Sequence, residues 1–291
     1  MAVIETKNLK KYFGKTHAVD GVDFEVNKGE IFGFLGPNGA GKTTTIRMMM
    51  DFIKPDQGEI KILGKDSQKD SVEIKKEVGY LAPLPRLYEN LTGKEHIRLI
   101  SSIRGGEKNA QELIKKFDFD ENKKVRTLSS GNRQKLSLIL ALMDKPKVLI
   151  LDELTTGLDP ILQNAVYNTL LEYRDKGITI FLSSHNLPEV QRICDRAAII
   201  REGKIVAVEE VRELKKKHIF NVNIVFDDKV EAGDFKMKGV EIKEKLDYSL
   251  HLVVKGDINT VLAKIAKYKV RDLEIGHAGL EEVFLEFYED K

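Results

Sequence analysis

Gly36-Pro37-Asn38-Gly39-Ala40-Gly41-Lys42-Thr43 lies between the apolar run Ile31-Phe32-Gly33-Phe34-Leu35 and the stretch Thr44-Thr45-Ile46-Arg47-Met48-Met49. The order reads as strand, phosphate loop, helix. Glycines let successive backbone N–H groups point inward at a polyphosphate, Lys42 reaches its outer oxygens, and the Thr43 hydroxyl can hold magnesium, all at the positive end of the following helix. Gly36, Pro37, Asn38, Gly39, Ala40, Gly41, Lys42, Thr43 and Thr44 are therefore the expected contacts of a nucleoside triphosphate.

A second apolar run, Lys147-Val148-Leu149-Ile150-Leu151, ends in Asp152-Glu153. It reads as a buried strand of a parallel sheet, whose active site lies at the carboxyl ends of its strands. With a phosphate loop in the same domain, Asp152 falls to the magnesium shell and Glu153 to the attacking water. The bland alternative is a solvated strand end. Ile178-Thr179-Ile180-Phe181-Leu182-Ser183-Ser184-His185 is a further buried strand with a polar tip, and His185 is placed to touch a terminal phosphate or to serve the structure alone.

Two features stay open at this level. Tyr12, in Lys10-Lys11-Tyr12-Phe13-Gly14 between the expected strands Val3 to Leu9 and Gly21 to Val26, can offer a face to a base or remain a surface tyrosine. Leu128-Ser129-Ser130-Gly131-Asn132-Arg133-Gln134-Lys135 precedes an apolar helix, Leu136 to Met143, and reads as an N-cap or as an anion site at a helix start.

The 291 residues carry 48 basic and 46 acidic side chains, a net of +2, so the overall balance gives no reason to expect a nucleic-acid partner. The single cysteine, Cys194, excludes an intrachain disulfide and fits a reducing compartment. No apolar run approaches the roughly 18 to 20 residues that span a bilayer, and Met1-Ala2-Val3-Ile4-Glu5 lacks the basic start of a secretion signal. Work at a membrane would pass through another subunit.

The length suits two domains. Gly58 to Gly64 and Val78 to Leu81 read as strands, after which Ala82-Pro83-Leu84-Pro85 halts regular structure. From Thr92 to about Leu142 the apolar period becomes helical, with Leu99, Ile100, Ile103, Leu113, Ile114 and Phe117, so an all-helical insertion is expected. Thr156 to Pro160 turns into a helix ending near Asp175, and Ala197 to Ile200 with Lys204 to Val208 form a closing hairpin. Beyond the short helix Glu210 to Lys217 come strands at His218 to Phe226, Leu250 to Val254 and Val270 to Ile275, with helices at Ile258 to Lys267 and Leu280 to Tyr288. Residues 218–291 hold 11 basic and 15 acidic side chains, a net of −4, which does not suit a nucleic-acid tail.

Across residues 3 to 217 the order of motifs resembles the ATP-binding subunit of an ABC transporter. Gly36 to Thr43 matches Walker A, Leu128 to Gln134 the signature, Val148 to Glu153 Walker B, Gly157-Leu158-Asp159 the D-loop and His185 the switch histidine. The end, Gly279-Leu280-Glu281-Glu282-Val283-Phe284-Leu285, is similar to drug-export and antibiotic-resistance subunits. The resemblance implies an α/β fold: a P-loop NTPase core with an antiparallel edge sheet and a helical subdomain at about 85–143, together forming an ATP-binding domain of residues 1–217, then a small C-terminal α+β domain of 218–291. It implies ATP and Mg2+ as cofactors, Tyr12 on the adenine, and Ser129, Ser130, Gly131 and Asn132 capping the γ-phosphate held by a second subunit. It gives Asp159 as the D-loop residue.

The implied partners are a second ATP-binding subunit, as homodimer or heterodimer, and integral membrane subunits, with the chain on the cytoplasmic face of the membrane. A soluble ABC-type ATPase not tied to transport is the competing expectation. The sequence departs from the pattern at Pro83, where the family carries glutamine or glutamate, and less so at Ser130, Asn132 and Leu154. Pro83 has neither a side-chain acceptor nor an N–H, which predicts weakened magnesium binding or a coupling route that bypasses this position.

Overall fold

The computed structural model describes residues 2–83, 86–155, 157–212 and 219–277. Their contacts divide the chain into two compact units, residues 1–209 and 210–291, rather than at the expected 217/218. The expected helix Leu280 to Tyr288, the Gly279 to Leu285 stretch and Lys215 to Lys217 lie outside the described residues.

In the first unit, β1 (Ala2–Phe13) and β2 (Thr16–Asn27) form a long antiparallel hairpin, Phe13 opposite Thr16. β1 therefore runs four residues past the expected Leu9 and carries Tyr12 within it. Positions 10 to 13 are half-buried or exposed, so they lack the alternating apolar signal by which a strand is read from sequence. β3 (Ile31–Leu35) is wholly buried and feeds through the glycine loop into α1 (Lys42–Met49). β4 (Gln57–Ile62) pairs with β1, and the short β5 (Lys65–Asp66) extends that sheet in the order β2-β1-β4-β5. α2 (Ser71–Glu77), which has only one buried residue, Ile74, leads to β6 (Val78–Leu81).

The insertion is helical, as expected. α3 (Gly93–Arg104) starts at a capping box in which Thr92 and Glu95 satisfy each other's backbone N–H groups. α4 (Glu107–Lys116) and α5 (Ser130–Leu142) follow. On α3 the buried face is His96 and Ile97, while Leu99 and Ile103 are exposed, so the stripe read from sequence is not the one turned inward. Arg104 ties α3 to the core by donating to the Val78 carbonyl at 2.9 Å and pairing with Asp144 at 2.6 Å.

β7 (Val148–Asp152), α6 (Pro160–Asp175), β8 (Thr179–Ser184), α7 (Leu187–Ile193), β9 (Arg196–Arg201) and β10 (Lys204–Glu210) complete the unit. The main sheet has the order β10-β9-β3-β8-β7-β6, and β9, β3, β8, β7 and β6 pair in parallel. Phe24, Phe32, Phe34 and Phe181 pack between the two sheets with ring centroids 5.3 to 6.1 Å apart. Burying each such side chain contributes about 1.5–3 kcal/mol, which makes this cluster a principal anchor of the sheet under the site. Cys194 follows α7, is buried, and has its thiol pKa pushed up by that burial, as suits a core filler.

The second unit contains β11 (Ile219–Phe226), β12 (Val240–Lys245), β13 (Ser249–Lys255), the helix Ile258–Ile265 and β14 (Val270–His277), with sheet order β12-β13-β11-β14. One sheet face, through Val222, Ile224, Leu250, Leu252 and Val254, packs on Val261 and Ile265 of the helix. The sequence reading missed β12, whose residues Glu241, Lys243, Glu244 and Lys245 leave it mostly exposed.

Candidate functional site

Three neighbouring strands end at one level. Leu35 of β3 lies beside Ser184 of β8, and Ser183 of β8 beside Asp152 of β7. The residues that follow, Gly36, His185 and Glu153, are thereby placed side by side where a parallel sheet carries its ligands.

The phosphate loop is braced from β9 and its turn. A Cβ at Gly36 would stand 2.3 Å from the Ile200 carbonyl oxygen, so only glycine fits there. Gly41, at φ +107°, opens α1 with a left-handed residue against the Ala18 carbonyl, a second position closed to larger residues. The Gly203 amide donates to the Ala40 carbonyl at 3.0 Å, and Thr45 bonds the Gly41 carbonyl through both its amide and its hydroxyl. Among the described residues no side chain caps the start of α1, which leaves its positive end to the loop.

Lys42 is only 5% exposed. Its ammonium donates to the carbonyls of Gly36 at 2.7 Å and Pro37 at 3.1 Å and lies 3.2 Å from Glu153 Oε1. The other Glu153 oxygen is 2.7 Å from His185 Nδ1. Lys42, Glu153 and His185 form a continuous chain of contacts. Glu153 holds φ +53°, a left-handed backbone that costs a non-glycine residue roughly 1–2 kcal/mol. Its amide donates to the Ser183 carbonyl at 3.2 Å, which helps hold that conformation and aims the carboxylate back across the strand ends.

Asp152 is fully buried. Ser183 donates its hydroxyl to Oδ1, while Oδ2 is buried without a hydrogen-bond partner among the described residues. Burial pushes this carboxyl pKa up, opposed by the hydroxyls of Ser183 and Thr43 and by the charge of Lys42. A buried carboxylate oxygen without a donor calls for a cation or a proton.

The remaining expected residues sit apart from this cluster. Tyr12 donates its hydroxyl to Asp20 at 2.9 Å, with its ring 4.2 Å from that of His17. This hydrogen bond holds the tyrosine pKa above its ordinary value and that of Asp20 below. Ser129 caps α5 by accepting the Asn132 amide at 3.3 Å, and Ser129 and Ser130 are exposed. Among the described residues, no hydrogen bond or ion pair joins Ser129, Ser130, Gly131 or Asn132 to Lys42, Glu153 or His185. Gly131 instead faces Gly157, whose carbonyl would be 3.6 Å from an added Cβ. Asp159 caps α6, accepting the Leu162 amide at 2.9 Å ahead of Pro160 at the first helical position. Asp159→Ala is expected to destabilise the fold by about 1 kcal/mol in chemical denaturation, the worth of an N-cap.

The sequence reading missed Ser183, Ser184, Gln134 and Asp20. Gln134 donates to the Leu154 carbonyl at 3.3 Å and so joins the start of α5 to the segment after β7. Paired serines at the end of an apolar strand were the one available signal for Ser183 and Ser184, because a hydroxyl there has no core to fill.

A phosphate loop, two acids and a histidine across adjacent strand ends define a nucleoside triphosphatase of the P-loop class. The ABC transporter family matches residues 19–156. The chain is 35% identical over 257 residues to the bacitracin transport ATP-binding protein of Bacillus licheniformis, spanning 86% of this chain and 82% of that one. It is 30% identical over 306 residues to the daunorubicin/doxorubicin resistance ATP-binding protein of Streptomyces peucetius, spanning 97% and 91%. A solved structure of an ATP-binding subunit of an ABC transporter superposes with a TM-score of 0.69 at 30% identity, over 73% of this chain and 92% of that one. This chain belongs to the ATP-binding proteins of the ABC transporter family.

Proposed function

We propose that the chain is the ATP-hydrolysing subunit of an exporter, working as one of two ATP-binding subunits on separate membrane-spanning subunits at the cytoplasmic face. The observation that carries the reading is the joined set Lys42, Glu153 and His185 beside the unpartnered Asp152 oxygen. The antibiotic- and drug-related functions of the two similar transport proteins support the export direction. No helix among the described residues is long and apolar enough to cross a membrane, which fits work through a membrane partner. Residues 218–291 would be an accessory domain.

In this reading the loop amides and Lys42 bind the phosphates, and Tyr12, its hydroxyl pinned by Asp20, offers its ring to the adenine. Glu153 orients the attacking water and accepts its proton, while His185, with Nδ1 engaged by Glu153, has Nε2 left for a γ-phosphate oxygen. Thr43 and Asp152 would hold a magnesium ion, because the Thr43 hydroxyl, which favours the ionised Asp152 carboxyl, and a buried carboxylate oxygen with no partner among the described residues supply the hard oxygen ligands that this cation takes alongside phosphate and water. The ion would neutralise charge on the transferring phosphoryl group.

Ser129 and Ser130, exposed at the start of α5, would cap the γ-phosphate of the facing subunit, with Asp159 nearby. Closure on ATP and opening after hydrolysis would then drive transport as a population shift. Affinity capture from detergent-solubilised membranes tests the assignment: recovery of a polytopic subunit is expected. Capture of the chain without one would favour an ABC-type ATPase not tied to transport.

Pro83 follows β6 with no side-chain acceptor to offer, at the place where the family resemblance implies glutamine or glutamate. Pro83→Gln or Pro83→Glu is expected to lower the magnesium concentration needed for half-maximal hydrolysis. Unchanged magnesium profiles in both variants would show that this position takes no part in ion binding.

A further inference from the structure

Glu189 is 3% exposed at the third position of α7, yet it has no part in the roles given above to phosphate, water or ion. A carboxylate so far from solvent needs donors. Ser184, at the end of β8, donates its hydroxyl to Oε2 at 2.5 Å, and Tyr167 of α6 donates to Oε1 at 3.4 Å. The Thr155 hydroxyl also favours the ionised form, against burial, which pushes the carboxyl pKa up. Toward an ionised Glu189 the Ser184 hydroxyl is the donor, because a carboxylate only accepts, and its Oγ at the same time accepts the Asn186 amide at 2.9 Å.

In an ordinary capping box the glutamate at the third helical position returns directly to the cap amide. Here the Ser184 hydroxyl is inserted between the Asn186 N–H and Glu189, while Asn186 Oδ1 accepts the Glu189 amide at 3.4 Å. His185 is the residue between Ser184 and Asn186, so the network fixes the backbone on both sides of it. The Ser184 carbonyl also accepts the Gly36 amide at 3.1 Å, which ties the same point to the start of the phosphate loop.

We propose that Glu189 is a positioning residue that, through Ser184 and Asn186, holds the His185 ring against Glu153 and in register with the phosphate loop. The proposal rests on the reading that His185 serves the γ-phosphate. A helix cap alone would alter the melting temperature and leave both the imidazole environment and kcat unchanged.

The full chain, with 15N-labelled histidine, separates these. His185→Ala identifies the His185 ring signals, and ATP hydrolysis is followed in parallel. Glu189→Ala and Ser184→Ala are expected to shift those signals and to lower kcat at least about tenfold, with KM changed less than about threefold. Glu189→Gln, which keeps an acceptor for the Ser184 hydroxyl, is expected to restore both to near wild type. Added to His185→Ala, Glu189→Ala is expected to cost less than about twofold more, as for residues that act as a unit. Unmoved His185 signals in Glu189→Ala and Ser184→Ala, a Gln variant as impaired as the Ala variant, or fully multiplicative losses would overturn the proposal. Wild-type turnover in His185→Ala would instead overturn the γ-phosphate reading, and the ring signals would still decide the positioning claim.

Discussion

Glu153→Gln is expected to lower the rate of ATP hydrolysis by roughly 10²- to 10⁴-fold, the usual worth of a positioned general base. The substitution keeps the side chain's length and reach but removes its charge and basicity. Lys42 Nζ, 3.2 Å from one carboxylate oxygen, loses the carboxylate with which it forms an ion pair. His185 Nδ1, 2.7 Å from the other oxygen, faces an amide. The two carbonyl bonds to Lys42 remain, so nucleotide binding is expected to survive. The strained backbone at residue 153 is common to both side chains, and stability is expected to change by no more than about 0.5 kcal/mol. Phosphate release and denaturation together check this. More than a tenth of wild-type turnover in a folded Glu153→Gln protein would place water activation on another group.

Lys42→Ala is expected to act one step earlier, on binding. The ammonium is nearly buried and bridges the loop carbonyls to Glu153. Its removal takes away charge-assisted bonds to phosphate worth about 1.5–3 kcal/mol each, so affinity for a non-hydrolysable ATP analogue should fall roughly 10- to 100-fold or more. It also leaves the Glu153 carboxylate without its cation and adds the loss of charge stabilisation in the transition state, about 10²- to 10³-fold for one such donor. Calorimetric titration and phosphate release measure the two losses separately. Affinity within about threefold of wild type would mean that the loop amides bind the phosphates without Lys42.

The core and the reactive groups were legible because local patterns encode them. β3, β7 and β8 are buried on both faces and read as continuous apolar runs, and the loop, the acids and the histidine follow those runs directly. What sequence could not give was the level at which the strands end, since pairing of Leu35 with Ser184 and Ser183 with Asp152 is a long-range register. For the same reason Glu189, 36 positions beyond Glu153, could not be linked to the strand ends that it supports. The extension of β1 through Tyr12 was hidden by its lack of alternation, and β12 by its exposed charges. Ser129 was readable as a cap and is one. A helix start of this kind carries no sign of which chain's phosphate it would meet.

In the proposed mechanism Gly36 to Thr43 form half of a site, with Ser129, Ser130 and Gly131 of another copy or a related subunit as the other half. Sedimentation of Glu153→Gln tests it, because slow turnover preserves bound ATP. With ATP and magnesium a species of two chains is expected, absent with ADP and absent when Gly131→Asp is added to place a carboxylate against the facing phosphate. A single-chain species with ATP bound, or a two-chain species that ignores both ADP and Gly131→Asp, would contradict it.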